Sequence, residues 1–339
     1  MSGVQTNRYA LLQHPGLIQI REVQLPPTLP RPDFVRLKVD FCSICGGDLA
    51  TFQGKSDVNY PHTLGHEYCG SIALVGESVS SFHRGEKVAV DPNYRCGQCK
   101  FCKSGLSNFC VSNSVNLFNP RGFAHYVDIH HSYLHQIPDF PHSYLGALIE
   151  PLSCALHALK LSKVQRSDRI LILGGGGQGT LLSLALSWLF PKLKIEVYDP
   201  NRDKLRNLAA VLTKTVYPLS NPPTLAKYSL VFEASGQAEG FDYAVAAVQN
   251  AGRIIVSSRY RGQNVHLPEE IAPKGCTIKF SNLNGDGSPF TQAIQLLASH
   301  WREDYNQLIT IESLSIINDV FTNLDTSQYG KTIIQISRD

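Results

Sequence analysis

Short runs of alternating apolar and polar residues recur through the first 150 residues of the chain. Glycine, proline and asparagine separate these runs, as they do between the strands of a sheet. The pattern therefore predicts a β-rich region, whose clearest strands span residues 34–40, 71–75, 87–90 and 124–129.

The pattern changes near residue 155. Residues 169–190 read as a strand (RILIL), a glycine-rich turn and an apolar helix that ends before Pro191. A strand (KIEVY), a helix over 202–211 and strands over 230–233 and 253–257 follow. Strands that alternate with helices predict a parallel sheet, so the fold class is α/β. Beyond residue 286 the sequence predicts helices near 291–299 and 313–324 and a closing strand (KTIIQIS).

Length and charge narrow the range of functions. A chain of 339 residues predicts about two domains. The net charge is only +3 and no basic run occurs, which argues against a nucleic-acid partner. The uncharged stretch 170–191 contains the run GGGG and a glutamine, so a strand and a helix explain it better than a membrane span. The N-terminus lacks the apolar core of a signal peptide, and we expect a cytoplasmic location.

Four of the nine cysteines, Cys96, Cys99, Cys102 and Cys110, form a C-x2-C-x2-C-x7-C motif. Four thiolates within one short loop suit tetrahedral zinc. An iron–sulfur cluster is an alternative, because the first three cysteines share ferredoxin-like spacing, but no proline follows Cys110 and no second cluster motif occurs. Disulfides are the other alternative, and the expected compartment argues against them. The motif predicts a structural zinc with all four positions filled.

A second set of metal-ligand residue types is scattered along the chain. Cys45 lies in CSICGGD, His66 and Glu67 lie in LGHEYCG, and Glu150 lies in LIEPLSCALHA. A catalytic zinc needs about three protein ligands and one open position, which such residues could supply. Spacing alone does not bring them together, and they could equally be ordinary surface or core residues.

Gly174, Gly176 and Gly179 form a G-x-G-x-x-G motif between a predicted strand and a predicted helix. The first glycine allows a tight turn, the second lets a pyrophosphate approach the backbone, and the third lets helix and strand pack closely. The helix N-terminus then stabilises the phosphate charge. Asp199 ends the next strand, twenty residues after Gly179, so that the order of elements predicts a dinucleotide site.

The residues after this motif bear on cofactor choice. Asp199 would accept the ribose hydroxyls and repel a 2′-phosphate, which favours NAD over NADP. Arg202 could tolerate that phosphate, or it could be a solvated charge at the start of a helix. Ser235 follows another predicted strand, in the sequence EASG, and is a candidate for a turn that lines the cofactor.

Taken together, these motifs resemble the zinc-dependent medium-chain dehydrogenases, the alcohol and polyol dehydrogenase superfamily. ICGGD, GHE, the four-cysteine lobe, GFAHYV, IEPL, GGGGQG and GKTIIQI occur in the family's order from about residue 10 to the C-terminus. The segment IEPLSCALHA is most similar to the sorbitol and threonine dehydrogenase branches.

The resemblance implies a GroES-like catalytic domain from residues 1–155 and 286–339, which carries the zinc lobe at 96–110, and a Rossmann domain from residues 156–285. It implies two zinc ions per chain, with Cys45, His66 and Glu150 on the catalytic zinc and Glu67 as a second carboxylate that exchanges with Glu150 or holds a water. It further implies NAD, an active site in the cleft between the domains, and a small hydroxylated substrate. Relatives are homodimers or homotetramers joined at the Rossmann sheet edge, here near residues 276–282.

The implied reaction is oxidation of a secondary alcohol, in which zinc lowers the pKa of the hydroxyl and hydride passes to the nicotinamide. Two positions depart from the family pattern. Gly47 stands where a serine or threonine relays the proton, and Ala50 stands where polyol relatives often have histidine. Water at the metal, Glu67, Glu150 or a substrate hydroxyl would have to carry the proton instead.

Three hypotheses fit this departure. The enzyme oxidises a polyol, cyclitol, aminocyclitol or sugar whose own hydroxyls help to carry the proton. Alternatively, it reduces a C=C or C=N bond, or it is a non-catalytic protein that binds nucleotide. Phe52, Phe118 and Phe123 could line a cleft or belong to the core, and Arg121 could meet the substrate or be solvated. The remaining cysteines, Cys42, Cys69, Cys154 and Cys276, are expected to be small buried apolar residues.

Overall fold

The computed structural model describes residues 5–93, 95–112, 122–324 and 330–337. Phe118 and Arg121, two candidates for contact with substrate, lie outside these described residues. The chain divides into two compact units. The first runs to Glu150 and resumes at Ile311, and the second covers Pro151–Thr310 and includes Lys331.

Within the described residues, the strands are β1 (Gln5–His14), β2 (Leu17–Leu25), β3 (Phe34–Ser43), β4 (His62–Thr63), β5 (Glu67–Val75), β6 (Lys87–Val90), β7 (Tyr126–His130), β8 (Leu134–Gln136), β9 (Ile170–Leu173), β10 (Ile195–Tyr198), β11 (Val216–Pro218), β12 (Tyr228–Glu233), β13 (Val248–Val256), β14 (Thr277–Phe280), β15 (Ile309–Ser313) and β16 (Lys331–Gln335). The α-helices are α1 (Gly46–Phe52), α2 (Lys100–Lys103), α3 (Ile149–Ser162), α4 (Gly177–Leu189), α5 (Arg202–Val211), α6 (Ala238–Ala247), α7 (Ser288–His300) and α8 (Ile317–Asn323).

The first unit is built on a sheet in the order β15-β16-β3-β5-β6-β8, with β7 also paired to β3. β3 pairs antiparallel with β5, β7 and β16, and a smaller sheet has the order β2-β1-β4. Val35, Leu37 and Val39 alternate along β3 and are fully buried, as expected for one face of a strand that covers a core. Phe52 and Phe123 belong to the same apolar core. The predicted β-rich region is thus confirmed.

The second unit is a parallel sheet in the order β11-β10-β9-β12-β13-β14. All four residues of β9 are buried isoleucines and leucines, which is typical of a strand with both faces covered. The strand order reverses between β9 and β12. In open α/β sheets, ligands bind beyond the carboxyl ends of the strands at such a reversal.

The predicted elements of the second unit are confirmed. The uncharged stretch 170–191 is β9 followed by α4, and α5 has the predicted bounds. Asn201 caps α5, because its side chain accepts the backbone N–H groups of Asp203 and Lys204 at 3.1 and 3.4 Å. No helix of the described residues is both long enough and apolar enough to cross a bilayer.

The boundaries of the units differ from the predicted ones. The first falls at residue 150 rather than 155, and the second falls at 310 rather than 285. The segment after 285 joins the second unit because the 3₁₀ helix Glu303–Leu308 packs there: Trp188 of α4 donates its indole N–H to the Tyr305 hydroxyl at 3.3 Å. The helix predicted over 313–324 is also shorter, since Ser313 ends β15, Leu314–Ile316 form a 3₁₀ helix, and α8 begins only at Ile317.

Candidate functional site

Three of the four residues predicted for the scattered metal site lie together in the first unit. One ligand atom each from Cys45, His66 and Glu67 lies within 4.8 Å of the other two. Cys45 is the N-cap of α1, and His66 and Glu67 stand at the entry to β5. One sulfur, one nitrogen and one oxygen ligand leave a position open, which is a donor set that catalytic zinc accepts. The residues present therefore fit zinc.

Glu150 is not part of this group among the described residues. It is a buried residue in the first turn of α3, whereas the group is built on the α1 cap and on β5. The structure thus pairs Cys45 and His66 with the Glu67 carboxylate and not with that of Glu150.

Asp48 organises the ends of α1 and β5 around the cluster. Its carboxylate accepts the backbone N–H groups of Cys45 and Gly65 at 3.1 and 3.0 Å, and Oδ1 lies 3.6 Å from His66 Nδ1. Burial by itself would raise the pKa of Asp48, but His66 and these N–H groups lower it to about 2. Burial would likewise lower the pKa of His66, whereas the charges of Asp48 and Cys45 raise it well above its usual value. Asp48 and His66 are therefore strongly coupled, with a carboxylate placed beside the imidazole at the cluster.

Ser43 holds the Glu67 carboxylate from the neighbouring strand. The two residues are directly paired in the register of β3 and β5, so that their side chains share one face of the sheet. The Ser43 hydroxyl contacts Glu67 Oε2 as a donor and lies 3.0 Å from the Ala147 carbonyl oxygen. Both Ser43 and Glu67 are buried, which restricts the carboxylate to few orientations.

The two positions that depart from the family pattern lie on α1. The backbone N–H of Gly47 donates to Cys45 Sγ at 3.3 Å, and Ala50 is buried with an exposed fraction of 8%. Neither residue has a hydroxyl or an imidazole, so α1 places no titratable relay group at these positions.

The four-cysteine lobe also gathers its sulfurs. The Sγ atoms of Cys96, Cys99, Cys102 and Cys110 all lie within 4.8 Å of one another, with Cys96 and Cys102 at 4.0 Å. Four sulfurs at 2.3 Å from one tetrahedral zinc would lie about 3.8 Å apart. Backbone N–H groups, led by that of Cys102, lower the pKa of the Cys99 thiol to about 6, whereas desolvation and the adjacent sulfurs raise that of Cys102 to about 12. Four thiolates this close repel one another unless a cation lies between them. A bound cation stabilises all four, so the lobe fits zinc.

All nine cysteines are free thiols. Cys42 and Cys69 are buried as expected, whereas Cys154 and Cys276 are only partly buried, which corrects that part of the prediction.

The glycine-rich turn lies at the reversal of the parallel sheet. Gly174 has φ +102°, and a Cβ at Gly179 would stand 1.8 Å from the Gly174 carbonyl oxygen, so neither position accepts a side chain. A Cβ at Gly176 would meet nothing within 4 Å, so that the backbone there is open to a ligand. Gln178 Nε2 is buried and has no hydrogen-bond partner among the described residues, as expected where a polar ligand belongs. The turn fits a dinucleotide.

Asp199 is tied to this turn. Its Oδ2 accepts the Gly175 N–H at 2.7 Å and its Oδ1 accepts the Asn201 N–H at 2.8 Å. Arg202 is exposed, and its guanidinium donates to the Ser220 carbonyl at 3.4 Å. Ser235 lies after β12, where its backbone N–H donates to Glu233 Oε1 at 2.8 Å.

Sequence reasoning missed Lys331 as a site residue. It is buried, and its Nζ lies 3.8 Å from where a Cβ on Gly177 would stand, at the N-terminus of α4. The motif GKTIIQI contains this lysine, but it reads simply as a closing strand. Ser43 and Asp48 were missed for a similar reason, since only the fold brings them to the cluster.

A cluster that fits zinc and a turn that fits a dinucleotide occur together in metal- and nucleotide-dependent oxidoreductases. Residues 31–139 match the family model of the alcohol dehydrogenase GroES-like domain. The chain is 30% identical over 275 residues to the uncharacterized zinc-type alcohol dehydrogenase-like protein YdjJ of Escherichia coli K12, with 76% of this chain and 78% of that protein covered. It is 30% identical to the sorbitol dehydrogenase of Bacillus subtilis, with 75% of each covered.

A solved dehydrogenase structure has the same fold as this chain. A protein of Sinorhizobium meliloti 1021 described as a zinc-binding dehydrogenase, bound to NADP, superposes with a TM-score of 0.85 at 25% identity, with 98% of this chain and 99% of that chain covered. The chain belongs to the zinc-dependent medium-chain dehydrogenase superfamily, near its sorbitol dehydrogenase branch. Its fold is therefore a GroES-like domain with a Rossmann domain, and it is an oxidoreductase of the alcohol dehydrogenase type that uses a nicotinamide cofactor.

Proposed function

We propose that this protein is a zinc- and NAD-dependent dehydrogenase of a secondary alcohol in a polyol, cyclitol, aminocyclitol or sugar. The observation that carries the proposal is the group of Cys45, His66 and Glu67, with one ligand atom each within 4.8 Å of the others. A nucleotide-binding protein without catalysis would have no need of such a group. The similarity to a sorbitol dehydrogenase supports a polyhydroxylated substrate.

In this proposal Cys45, His66 and Glu67 hold the catalytic zinc, and Cys96, Cys99, Cys102 and Cys110 hold a structural one. The catalytic zinc, when bound, supplies a Lewis acid that lowers the pKa of the substrate hydroxyl. Asp48 orients the His66 ring through Nδ1, and Ser43 orients the Glu67 carboxylate. Glu150 is a second carboxylate that would replace Glu67 only after the side chains rearrange.

The dinucleotide is held by the second unit. Gly176 lets the pyrophosphate approach the backbone at the start of α4, whose N-terminus and Lys331 stabilise its charge. Asp199 is held above the turn by Gly175 and accepts the ribose hydroxyls, which favours NAD over NADP. Arg202 does not reverse this preference, because its guanidinium is directed to Ser220.

Glu67 is a proton acceptor that this chain offers in place of the missing relay. It is buried, it belongs to the cluster, and the Ser43 hydroxyl already donates to it. We propose that Glu67 accepts the proton of the substrate hydroxyl, that Ser43 holds the carboxylate in place, and that the substrate's other hydroxyls carry the proton on to solvent. A relay of this kind contributes about two to four orders of magnitude in rate.

Reduction of a C=C or C=N bond is the second candidate, and the absence of a hydroxyl or an imidazole at Gly47 and Ala50 favours it. Such a reduction does not require the hydroxyl relay that α1 lacks.

A screen of nicotinamide absorbance at 340 nm tests the proposal. Purified protein is mixed with NAD and with polyols, cyclitols, aminocyclitols, sugars, threonine and simple alcohols. Turnover with one polyhydroxylated class, lost in Cys45→Ala and kept in the control Cys276→Ala, is expected. Silence across the panel, with NADH still bound and both metals present, would instead support the reductase.

We further propose that the protein is a homodimer or homotetramer joined through β14. This strand lies at the edge of the parallel sheet, and Phe280 on it is 64% exposed. An open edge with an exposed aromatic residue invites pairing with a second copy. Light scattering of Phe280→Lys against the unchanged protein tests this, and equal masses would contradict it.

A further inference from the structure

Glu233 is a fully buried acid at the carboxyl end of β12, next to the reversal of the parallel sheet. In the described part of the chain it has no ion-pair partner within 4.0 Å. A buried carboxylate without a cation is stable only where hydrogen-bond donors replace its water. Glu233 is therefore an isolated negative charge that the surrounding residues must support.

Four donors supply that support. Oε1 accepts the backbone N–H of Ser235 at 2.8 Å and also its hydroxyl, and Oε2 accepts the Tyr260 hydroxyl at 2.7 Å and the Ser258 hydroxyl. Every polar contact that the described residues make with this carboxyl group comes from a donor, as an acceptor-only group requires. Burial first and then the charge of Glu233 raise the pKa of Tyr260, so that this hydroxyl keeps its proton to donate.

These contacts join two loops that follow neighbouring strands. Ser235 lies in the turn after β12, and Ser258 and Tyr260 lie in the loop after β13. A Cβ on Gly174 would stand 2.8 Å from the Ser235 nitrogen, so the same turn abuts the glycine-rich turn. A Cβ on Gly240 would stand 2.9 Å from Glu233 Oε1, so the start of α6 also leaves room for this carboxylate.

The position in the sheet tells which half of the dinucleotide the two loops face. A doubly wound sheet binds one mononucleotide on each side of its reversal. Asp199 follows β10 and marks the adenosine half. β12 and β13 lie on the other side of β9, so the loops held by Glu233 belong to the nicotinamide half.

We propose that Glu233 is a positioning residue that holds the loops after β12 and β13 for the nicotinamide half, and that its fixed charge makes the site favour oxidised over reduced dinucleotide. This inference rests on the proposed dinucleotide function. The nicotinamide ring is a cation in NAD⁺ and neutral in NADH. A fixed negative charge in a poorly solvated environment stabilises the cation and leaves the neutral ring nearly unaffected.

The experiment measures the dissociation constants of NADH, by its fluorescence, and of NAD⁺, by competition, on the purified protein. Glu233→Gln keeps the size of the side chain and removes its charge. The ratio of the constant for NAD⁺ to that for NADH is expected to rise about three- to tenfold in this variant. The control is Glu196→Gln, a partly buried acid on β10 that pairs with Lys227, for which the ratio stays as in the unchanged protein.

Tyr260→Phe keeps the charge of Glu233 and removes one of its hydrogen-bond donors. Both NAD⁺ and NADH should then bind more weakly, while the ratio of their dissociation constants falls or stays equal. This variant tests the inference even if Glu233→Gln does not fold. A ratio in folded Glu233→Gln equal to that of the unchanged protein, or a ratio that rises in Tyr260→Phe, overturns it. If the unchanged protein binds neither NAD⁺ nor NADH, the proposed function itself fails, which is a separate result.

Discussion

Asp48 Oδ1 lies 3.6 Å from His66 Nδ1, and the same carboxylate accepts the backbone N–H groups of Cys45 and Gly65. One side chain thus connects the two segments that supply the metal-ligand residues. A carboxylate behind a histidine ligand fixes the orientation of its ring and raises its basicity. Asp48, the acid of ICGGD, therefore supports the metal-ligand cluster without being one of its ligands.

Asp48→Asn is expected to weaken zinc binding at the Cys45 cluster by about 10- to 100-fold, because the ring of His66 loses this support. Competition with a colorimetric chelator measures the affinity. Asp57→Asn, at an exposed acid nearby in sequence, is the control. Equal affinities for the two variants would show that Asp48 does not act on His66.

Elemental analysis is expected to find two zinc ions per chain. Cys45→Ala should retain one zinc and lose turnover, whereas Cys99→Ala should lose the zinc of the lobe and unfold at a lower temperature, because a structural zinc contributes directly to folding. Cys276→Ala, which lies outside both clusters, should retain two. If the unchanged protein holds only one zinc and Cys45→Ala still holds it, the proposed catalytic zinc does not exist.

Asp199→Ala is expected to reduce the preference for NAD over NADP by roughly tenfold, because the loss of a charged acceptor is worth about 1.5 kcal/mol. The ratio of kcat/KM for the two cofactors is the measurement. Arg202→Ala should leave that preference unchanged, since its guanidinium contacts Ser220. If Asp199→Ala keeps the original ratio, the carboxylate serves only the turn.

Lys331→Met is expected to weaken NADH binding by roughly 10-fold or more, since a charged hydrogen-bond donor at the α4 N-terminus would be lost. Fluorescence titration of NADH measures it. Lys192→Met, an exposed lysine of the same unit, should bind NADH as the unchanged protein does. Unaltered binding in Lys331→Met would leave this buried lysine a purely structural role.

Asp286 makes one contribution to stability that depends on pH. Burial tends to raise the pKa of its carboxyl, but the Lys160 ammonium at 2.8 Å and Ser288 lower it from 3.8 to about 2. Because the folded pKa is the lower one, the contribution is present above pH 4 and disappears as the pH falls from about 4 to 2. The carboxylate is one-third exposed, so solvent screening reduces the contribution to about 1 kcal/mol.

The melting temperature of Asp286→Asn should therefore lie below that of the unchanged protein at pH 7, and the difference should shrink as the pH falls from about 4 to 2. Glu303→Gln, at an acid of the same unit outside this ion pair, serves as the control. A difference that stays constant down to about pH 2 would mean that the ionised carboxylate is not the source of the stability.

Most of the local structure follows from patterns within short stretches of the chain. The apolar run of β9, the spacing of Gly174, Gly176 and Gly179, and the Asn201 cap of α5 each depend on neighbours in sequence. Four cysteines within fifteen residues likewise reach one another through a short loop. Backbone conformation and side-chain periodicity are local properties, so the sequence alone predicts them.

The tertiary structure decided which distant residues meet. Ser43 and Glu67 are paired only because β3 and β5 adopt one particular register, and a shift of one strand by one residue would place the two side chains on opposite faces of the sheet. That register places the Ser43 hydroxyl against the Glu67 carboxylate of the metal-ligand cluster. Packing likewise places Lys331 beside Gly177, across more than 150 residues of chain. The sequence by itself determined the elements, the motifs and the family, whereas strand register and packing determined the membership of each site, because they depend on the whole chain.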